Sequence, residues 1–77
     1  MKQTQYFTYT RKRPDRKIVK LEWIENVITN PIKTVYQSDG RVRKWGYIEE
    51  VNKYLRVILL EDEETVHNAF FDRSFKK

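Results

Sequence analysis

The sequence contains no cysteine, one histidine (His67), two glycines and two prolines. The lack of cysteine excludes disulfides and thiolate chemistry. With a single histidine as well, the chain cannot supply the cysteine and histidine ligands of an ordinary zinc site. Two isolated glycines, Gly40 and Gly46, cannot form a phosphate-cradling loop. No apolar run approaches the roughly 18 residues of a membrane span, and the first residues lack the apolar stretch of a signal peptide. We therefore expect a soluble cytoplasmic protein that needs no cofactor.

The 77 residues are enough for one domain with one core, residues 1–77. Lys and Arg number 16 against 11 Asp and Glu, which gives a formal charge of +5 and suggests an anionic partner. Acidic residues concentrate at 49–50 and 61–64. The cations form two groups, namely Arg11, Lys12, Arg13, Arg16, Lys17 and Lys20, and then Arg41, Arg43 and Lys44. The alternative is that both kinds of charge only solvate loops and sheet edges.

The first half of the chain predicts one strand and one helix. Residues 6–10 are rich in strand-forming Tyr, Phe and Thr, and the following Arg13-Pro14 favours a turn. Apolar residues then recur at helical spacing, at Leu21, Ile24 and Ile28. The pattern predicts an amphipathic helix of about ten residues, which ends at Asn30-Pro31 because the residue before proline avoids the helical conformation.

The second half predicts four strands, at residues 32–37, 41–48, 54–60 and 65–71. Asp39-Gly40 between the first two indicates a hairpin with a type I′ turn. The third run is almost continuously apolar, which predicts a central strand buried on both faces. The expected fold is therefore α+β, with a single amphipathic helix packed on a mostly antiparallel meander in the order β-α-β-β-β-β. Which face of strand 54–60 meets the helix stays open, because both alternations are largely apolar.

Alternation within strand 41–48 places Arg41, Arg43, Trp45 and Tyr47 on one face. Guanidinium groups pair with phosphate, and aromatic rings stack on unpaired bases. This face is therefore a candidate surface for RNA. The alternative is an exposed sheet face whose aromatic side chains cover a helix or an edge.

His67 offers the one imidazole for acid or base chemistry, because its ordinary pKa of about 6.5 suits proton transfer. Alternation assigns it to the same face as Thr65, Ala69 and Phe71. A neighbouring arginine could stabilise the phosphorane formed when an RNA 2′-hydroxyl attacks the adjacent phosphate. The alternative is a half-buried structural histidine, hydrogen-bonded to a strand neighbour or to Asp72.

Several segments together resemble a group of small bacterial and cyanobacterial proteins. They are Trp23-Ile24-Glu25 with Asn30-Pro31, the run DGRVRKWGYI at 39–48, Tyr54-Leu55-Arg56-Val57, and the run ETVHNAFFDR at 64–73. This group in turn resembles the RelE, ParE and BrnT toxins of type II toxin–antitoxin systems, and the resemblance covers about residues 7 to 75. RelE-like toxins usually begin with a helical hairpin, whereas the pattern here predicts one helix.

The resemblance implies a toxin that cleaves RNA without metal, either free or on the ribosome, or a ParE-type topoisomerase inhibitor. In either case a cognate antitoxin neutralises it. The residues that match the toxins' functional positions are Arg43, Tyr47, Arg56, His67 and Arg73. In this hypothesis His67 is the general acid or base, and Arg56 and Arg73 stabilise the transition state. Tyr47 or Trp45 stacks a base, while Arg41, Arg43 and the basic segment 11–17 hold phosphates.

Two other functions fit the same residues. The first is a non-catalytic module that binds nucleic acid or an acidic protein, in which His67 is structural. The second is a domain that dimerises through an exposed sheet edge. The sequence leaves the choice between a monomer and a homodimer open.

Overall fold

The structure is a computed structural model that describes residues 2–14 and 18–75. Two helices precede four strands in these residues, and the strands form one antiparallel sheet in the order β1-β2-β3-β4. The elements are α1 (Gln5–Thr10), α2 (Leu21–Thr29), β1 (Lys33–Tyr36), β2 (Val42–Ile48), β3 (Lys53–Leu59) and β4 (Val66–Phe71). The α+β class and the four-stranded meander are confirmed.

The predicted strand at residues 6–10 is wrong, because this segment forms helix α1. Thr4 caps the helix by accepting a hydrogen bond from the Phe7 amide at 3.1 Å. Phe7 and Thr10 are buried while Tyr6 and Tyr9 are exposed, which is a spacing of three rather than two. Strand propensity reflects packing more than backbone preference, and here the cap and the burial of Phe7 outweigh it. The order is therefore α-α-β-β-β-β.

Helix α2 is confirmed over Leu21–Thr29, and it ends before Asn30-Pro31 as predicted. Its inward face buries Trp23, Ile24 and Val27. Within the described residues, no helix has the length and apolar character to cross a membrane.

The hairpin between β1 and β2 is confirmed, but its turn is not of type I′. The Gly40 amide donates to the Gln37 carbonyl at 3.0 Å, so Ser38 and Asp39 are the central residues of the turn. Only Gly40 has positive φ there, at +90°, whereas a type I′ turn requires positive φ at both central residues. Glycine is required at this position because left-handed backbone is costly for residues with a side chain.

The helices pack on one face of the sheet. Leu55, Val57 and Leu59 of β3 are fully buried against them. The other alternation of β3, which includes Tyr54 and Arg56, is only half-buried. The prediction of a strand buried on both faces is therefore wrong, and Arg56 lies on the side away from the helices.

A register shift in β4 changes the predicted positions of its side chains. Ala69 and Phe71 pair with Val57 and Leu55, whereas Val66 pairs with Leu59 across an irregularity. Val66 is consequently fully buried on the core side, although strict alternation assigned it to the opposite face. The extra residue between the two registers is His67, as at a β-bulge.

Candidate nucleic-acid interface

We call the sheet surface that faces away from both helices the open face. The pairing register defines its strand residues. They are Lys33, Val35, Arg43, Trp45, Tyr47, Tyr54, Arg56, Ile58, Asn68 and Phe70. The four strands contain lysines and arginines but no aspartate or glutamate. The acidic residues near the sheet lie in turns or just beyond the strand ends.

Asp72, the residue after β4, places a carboxylate on the open face. Its Oδ2 accepts hydrogen bonds from Trp45 Nε1 at 3.0 Å and from Arg56 Nε and Nη2 at 3.0 and 2.5 Å. Its Oδ1 accepts from the amide and hydroxyl of Ser74 at 3.0 and 2.7 Å. Asp72 therefore ties together β2, β3 and the segment after β4.

Asp72 remains ionised in spite of its burial. Burial raises its pKa, but the hydrogen bonds from Trp45, Ser74 and Arg56 outweigh that effect and hold the pKa well below its usual range. The carboxylate offsets the charge of Arg56, whose guanidinium also lies over the rings of Trp45 and Phe70 at 5.5 and 5.0 Å. Arg56 thus forms a partly buried ion pair with Asp72.

An aromatic cluster lies next to this ion pair. The Phe75 ring stacks on Trp45 at 5.2 Å with an interplanar angle of 21°, and it contacts Tyr54 at 5.0 Å. Tyr54 in turn contacts Tyr47. Trp45 is only 6% exposed, whereas Tyr47 is 39% exposed and its hydroxyl is hydrogen-bonded to Asn52. Of the two predicted stacking residues, Tyr47 lies at the surface and Trp45 beneath Phe75.

Several cations lie along the open face and at its ends. Lys33, Arg41 and Arg73 are exposed, and Arg43 is half-buried. The Nε atom of Arg43 is buried and has no hydrogen-bond partner within the described part of the chain. The charges of Arg56 and Asp72 cancel, so these other cations give the open face a net positive charge.

His67 lies at the other end of the sheet, beside the N-terminal segment. Its Nδ1 is 3.3 Å from Thr4 Oγ1, and its ring stacks on Tyr6 at 5.0 Å. Burial, assisted by the nearby charge of Arg41, lowers its pKa below the ordinary 6.5. His67 is therefore neutral at neutral pH. Thr4 Oγ1 accepts from the Phe7 amide and has a second lone pair, so in the tautomer in which His67 Nδ1–H donates to Oγ1 the Nε2 atom is free to accept a proton.

The structure does not bring the predicted catalytic residues together. Arg56 pairs with Phe70, three positions from His67 along the strand, or roughly 10 Å. Arg73 is exposed next to Asp72, at the Arg56 end. Tyr47 pairs with Tyr54, still farther along the sheet. The cation whose charge acts on the pKa of His67 is Arg41.

The predicted basic segment is separate from the open face. Arg11 follows α1, and its guanidinium lies 5.9 Å from the Phe7 ring on the helix side of the sheet. Lys12 and Arg13 are exposed. Arg16 and Lys17 lie outside the described residues.

Sequence reasoning missed Ser74, Phe75 and Lys33, and it weighed Asp72 only as a partner of His67. One signal was available, because Asp72-Arg73-Ser74 has the aspartate-then-serine spacing of a turn in which the carboxylate binds the backbone two residues later. Lys33 falls in the predicted strand 32–37, but its place beside Trp45 follows only from the pairing register.

Comparison with protein-family models, with curated proteins and with solved structures finds no match to this chain. The resemblance to RelE, ParE and BrnT toxins therefore stays a prediction.

Proposed function

We propose that this domain binds single-stranded RNA on the open face of its sheet. The observation that supports this proposal is the composition of the open face. Its strands provide aromatic and cationic side chains and contain no aspartate or glutamate. Within the described residues both helices pack on the opposite side, so no helix covers this face. This composition fits a nucleic acid such as RNA, because arginine and lysine bind phosphate while tyrosine rings stack on bases.

A single strand fits this face better than a duplex. The aromatic side chains need the flat faces of bases, and those faces are hidden inside a duplex. The longest strands have seven residues, or roughly 23 Å. Tyr47 and Tyr54 stand near one end of these strands, and Arg41 and Arg43 near the other. A strand of RNA can therefore lie along β2 with stacked bases at one end and bound phosphates at the other.

Replacement of Lys33 by Gln tests this proposal. Lys33 is exposed on β1 opposite Trp45, so we expect Lys33→Gln to bind an eight-nucleotide uridine RNA about threefold more weakly at 0.15 M salt. The slope of log affinity against log salt should become shallower by about 0.7. Fluorescence anisotropy of labelled RNA over a salt series measures both quantities.

Lys20→Gln is the matched control. Lys20 is also exposed, but its Nζ lies 5.3 Å from the Trp23 ring, in the helical layer. It should keep the affinity and the salt slope of the unmodified chain. Equal losses in both variants would show attraction to net charge alone, and no binding at 20 mM salt would refute the proposal.

We propose metal-independent RNA cleavage as a second candidate function, of the kind the predicted toxin resemblance implies. The observation in its favour is that burial and the charge of Arg41 lower the pKa of His67, which gives a neutral general base and a cation that can act on the phosphorane charge. Arg41 takes the role that the sequence assigned to Arg56, because Arg56 is bound to Asp72. A neutralising antitoxin partner belongs to this candidate.

His67→Gln tests the second candidate. Incubation of labelled RNA with the unmodified protein in EDTA should give products with 2′,3′-cyclic phosphate ends, and the variant should be at least 100-fold slower. Because the pKa of His67 is lowered, the rate should hold as pH falls to about 6.5 and decline only below that. Thr29→Val, an exposed helix substitution on α2, is the control. The candidate is excluded if the unmodified protein leaves the RNA intact.

A further inference from the structure

The chain after β4 folds back onto the open face and places one ring in the aromatic cluster. Phe75 stacks on the Trp45 indole at 5.2 Å and 21°, and its other neighbour is the Tyr54 ring at 5.0 Å and 54°. Phe75 is itself half-buried. A nearly parallel ring at this separation is also the arrangement in which a nucleobase stacks on an aromatic side chain.

We propose that Phe75 occupies the position of an unpaired RNA base, and that residues 73–75 form a strap which RNA displaces. This inference rests on the proposed binding of RNA by the open face. It identifies the Trp45–Tyr54 site as the base-stacking position and the strap as its built-in competitor. Any base has a flat π-face, so the site accepts bases without strong sequence preference.

The contacts of the strap allow it to leave without unfolding the sheet. Ser74 is hydrogen-bonded to Asp72, only two residues away, through its amide and its hydroxyl. Asp72 is fixed to the sheet independently, because its amide donates to the Tyr54 carbonyl at 2.9 Å and its carboxylate binds Arg56. Beyond Asp72, the Phe75 ring joins the strap to the sheet through its contacts with Trp45 and Tyr54. Rotation of the chain at residues 73–75 can therefore expose the Trp45 ring.

The space beside the strap suits the backbone of the same nucleotide. A cavity of about 300 Å³ adjoins Phe75, which is at the lower end of the range for ligand sites. Arg73, an exposed cation, borders it together with the Asp72 carboxylate. Lys53 also borders it, with its Nζ 5.3 Å from the Phe71 ring on the helix side. Arg73 is thus the phosphate-binding group next to the strap.

Phe75→Ala is the principal test. When the strap closes the site in most molecules, the apparent affinity equals the intrinsic affinity multiplied by the fraction of molecules in which the site is open. We expect removal of the ring to tighten binding of the eight-nucleotide uridine RNA about fivefold, measured by anisotropy at constant salt. Tyr36→Ala is the matched control, because Tyr36 is 68% exposed and pairs with Val42 on the helix side. It should leave the affinity unchanged.

A second measurement on the unmodified chain keeps the test independent of how Phe75→Ala folds. In NMR spectra, the Phe75 ring protons should carry ring-current shifts from Trp45. Saturating RNA should move them to the values of a phenylalanine ring exposed to solvent. The Trp45 Nε1 proton should keep its hydrogen-bonded shift, because Asp72 stays in place. A merely structural Phe75 would retain its shifts in the complex.

The outcomes separate this inference from the proposed function. The strap is supported if Phe75→Ala binds RNA more tightly, or if RNA removes the ring-current shifts of Phe75. Both proposals are supported if Phe75→Ala binds RNA and the unmodified chain does not. If the unmodified chain binds RNA with its Phe75 shifts intact, and folded Phe75→Ala binds equally or more weakly, the strap is overturned while RNA binding stands. If no variant binds RNA at 20 mM salt, both fail.

Discussion

Asp72→Asn should remove a large part of the stability of this domain. An asparagine has the same shape but only one acceptor oxygen, and Asp72 accepts on both oxygens. Its NH₂ group would have to face either the donors of Trp45 and Arg56 or those of Ser74. The Asp72 side chain is 6% exposed and that of Arg56 is 21% exposed, so removal of the charge leaves Arg56 half-buried without its counter-ion. We expect a loss of about 2–4 kcal/mol in the free energy of unfolding.

Urea denaturation at pH 7 measures this loss, and Asp39→Asn is the control. Asp39 accepts a single bond at 3.0 Å, from the Arg41 amide in an exposed turn, and asparagine can accept the same bond. Its stability should stay within about 0.5 kcal/mol of the unmodified chain. Equal stability of the two variants would contradict the role assigned to Asp72.

The contribution of Asp72 to the free energy of unfolding should depend on pH. Because the folded-state pKa of Asp72 lies below its unfolded value, its contribution is present at neutral pH and is lost as pH falls below about 4. Asp62 also has a lowered pKa, of about 2, owing to bonds from the Thr65 side chain and from the amides of Thr65 and Glu64. The stability difference between the unmodified chain and Asp72→Asn isolates Asp72, and it should shrink on acidification.

The strands were predictable because their signals are local. An Asp-Gly turn, alternation in residues 41–48 and an apolar run at 54–60 each depend on neighbours in sequence. Helix α1 was not predictable in this way. Tyr6, Phe7 and Tyr9 favour strands individually. The segment is helical because Thr4 caps it and because Phe7 is buried where α1 packs on β4, a strand that begins more than 50 residues later.

The candidate site was predictable only in part, for a related reason. Alternation placed Arg43, Trp45 and Tyr47 on one face correctly, because β2 has no irregularity. The partner of Arg56 depended on which face of β3 meets the helices, and the sequence left that open. The surroundings of His67 depended on the register shift in β4, and nothing in the local sequence marks that shift. Side-chain pairs across strands follow from register, which tertiary packing sets.

Gly46→Ala should destabilise the domain although alanine is otherwise well tolerated. Gly46 lies on β2 directly below α2, and an added Cβ would lie 2.6 Å from Val27 Cγ2 and 3.6 Å from its Cα. Both residues are buried, and Val27 is 1% exposed, so the helix or the strand must shift. We expect a loss of about 1–3 kcal/mol in urea denaturation. The reduced entropy of the unfolded alanine chain offsets part of the clash, by about 0.4–1 kcal/mol.

Val27→Ala provides the control, because it removes the atom that clashes. With Cγ2 absent, the next nearest atom to the added methyl group is Val27 Cβ at 3.4 Å, the lower limit of ordinary contact. Val27→Ala alone leaves a cavity and should cost about 1–2 kcal/mol. The double variant should therefore be more stable than the sum of the two single losses predicts, by about 1 kcal/mol or more. Additive losses would mean that α2 does not pack on β2 at Gly46, and the helix would then have to cover a different part of the sheet.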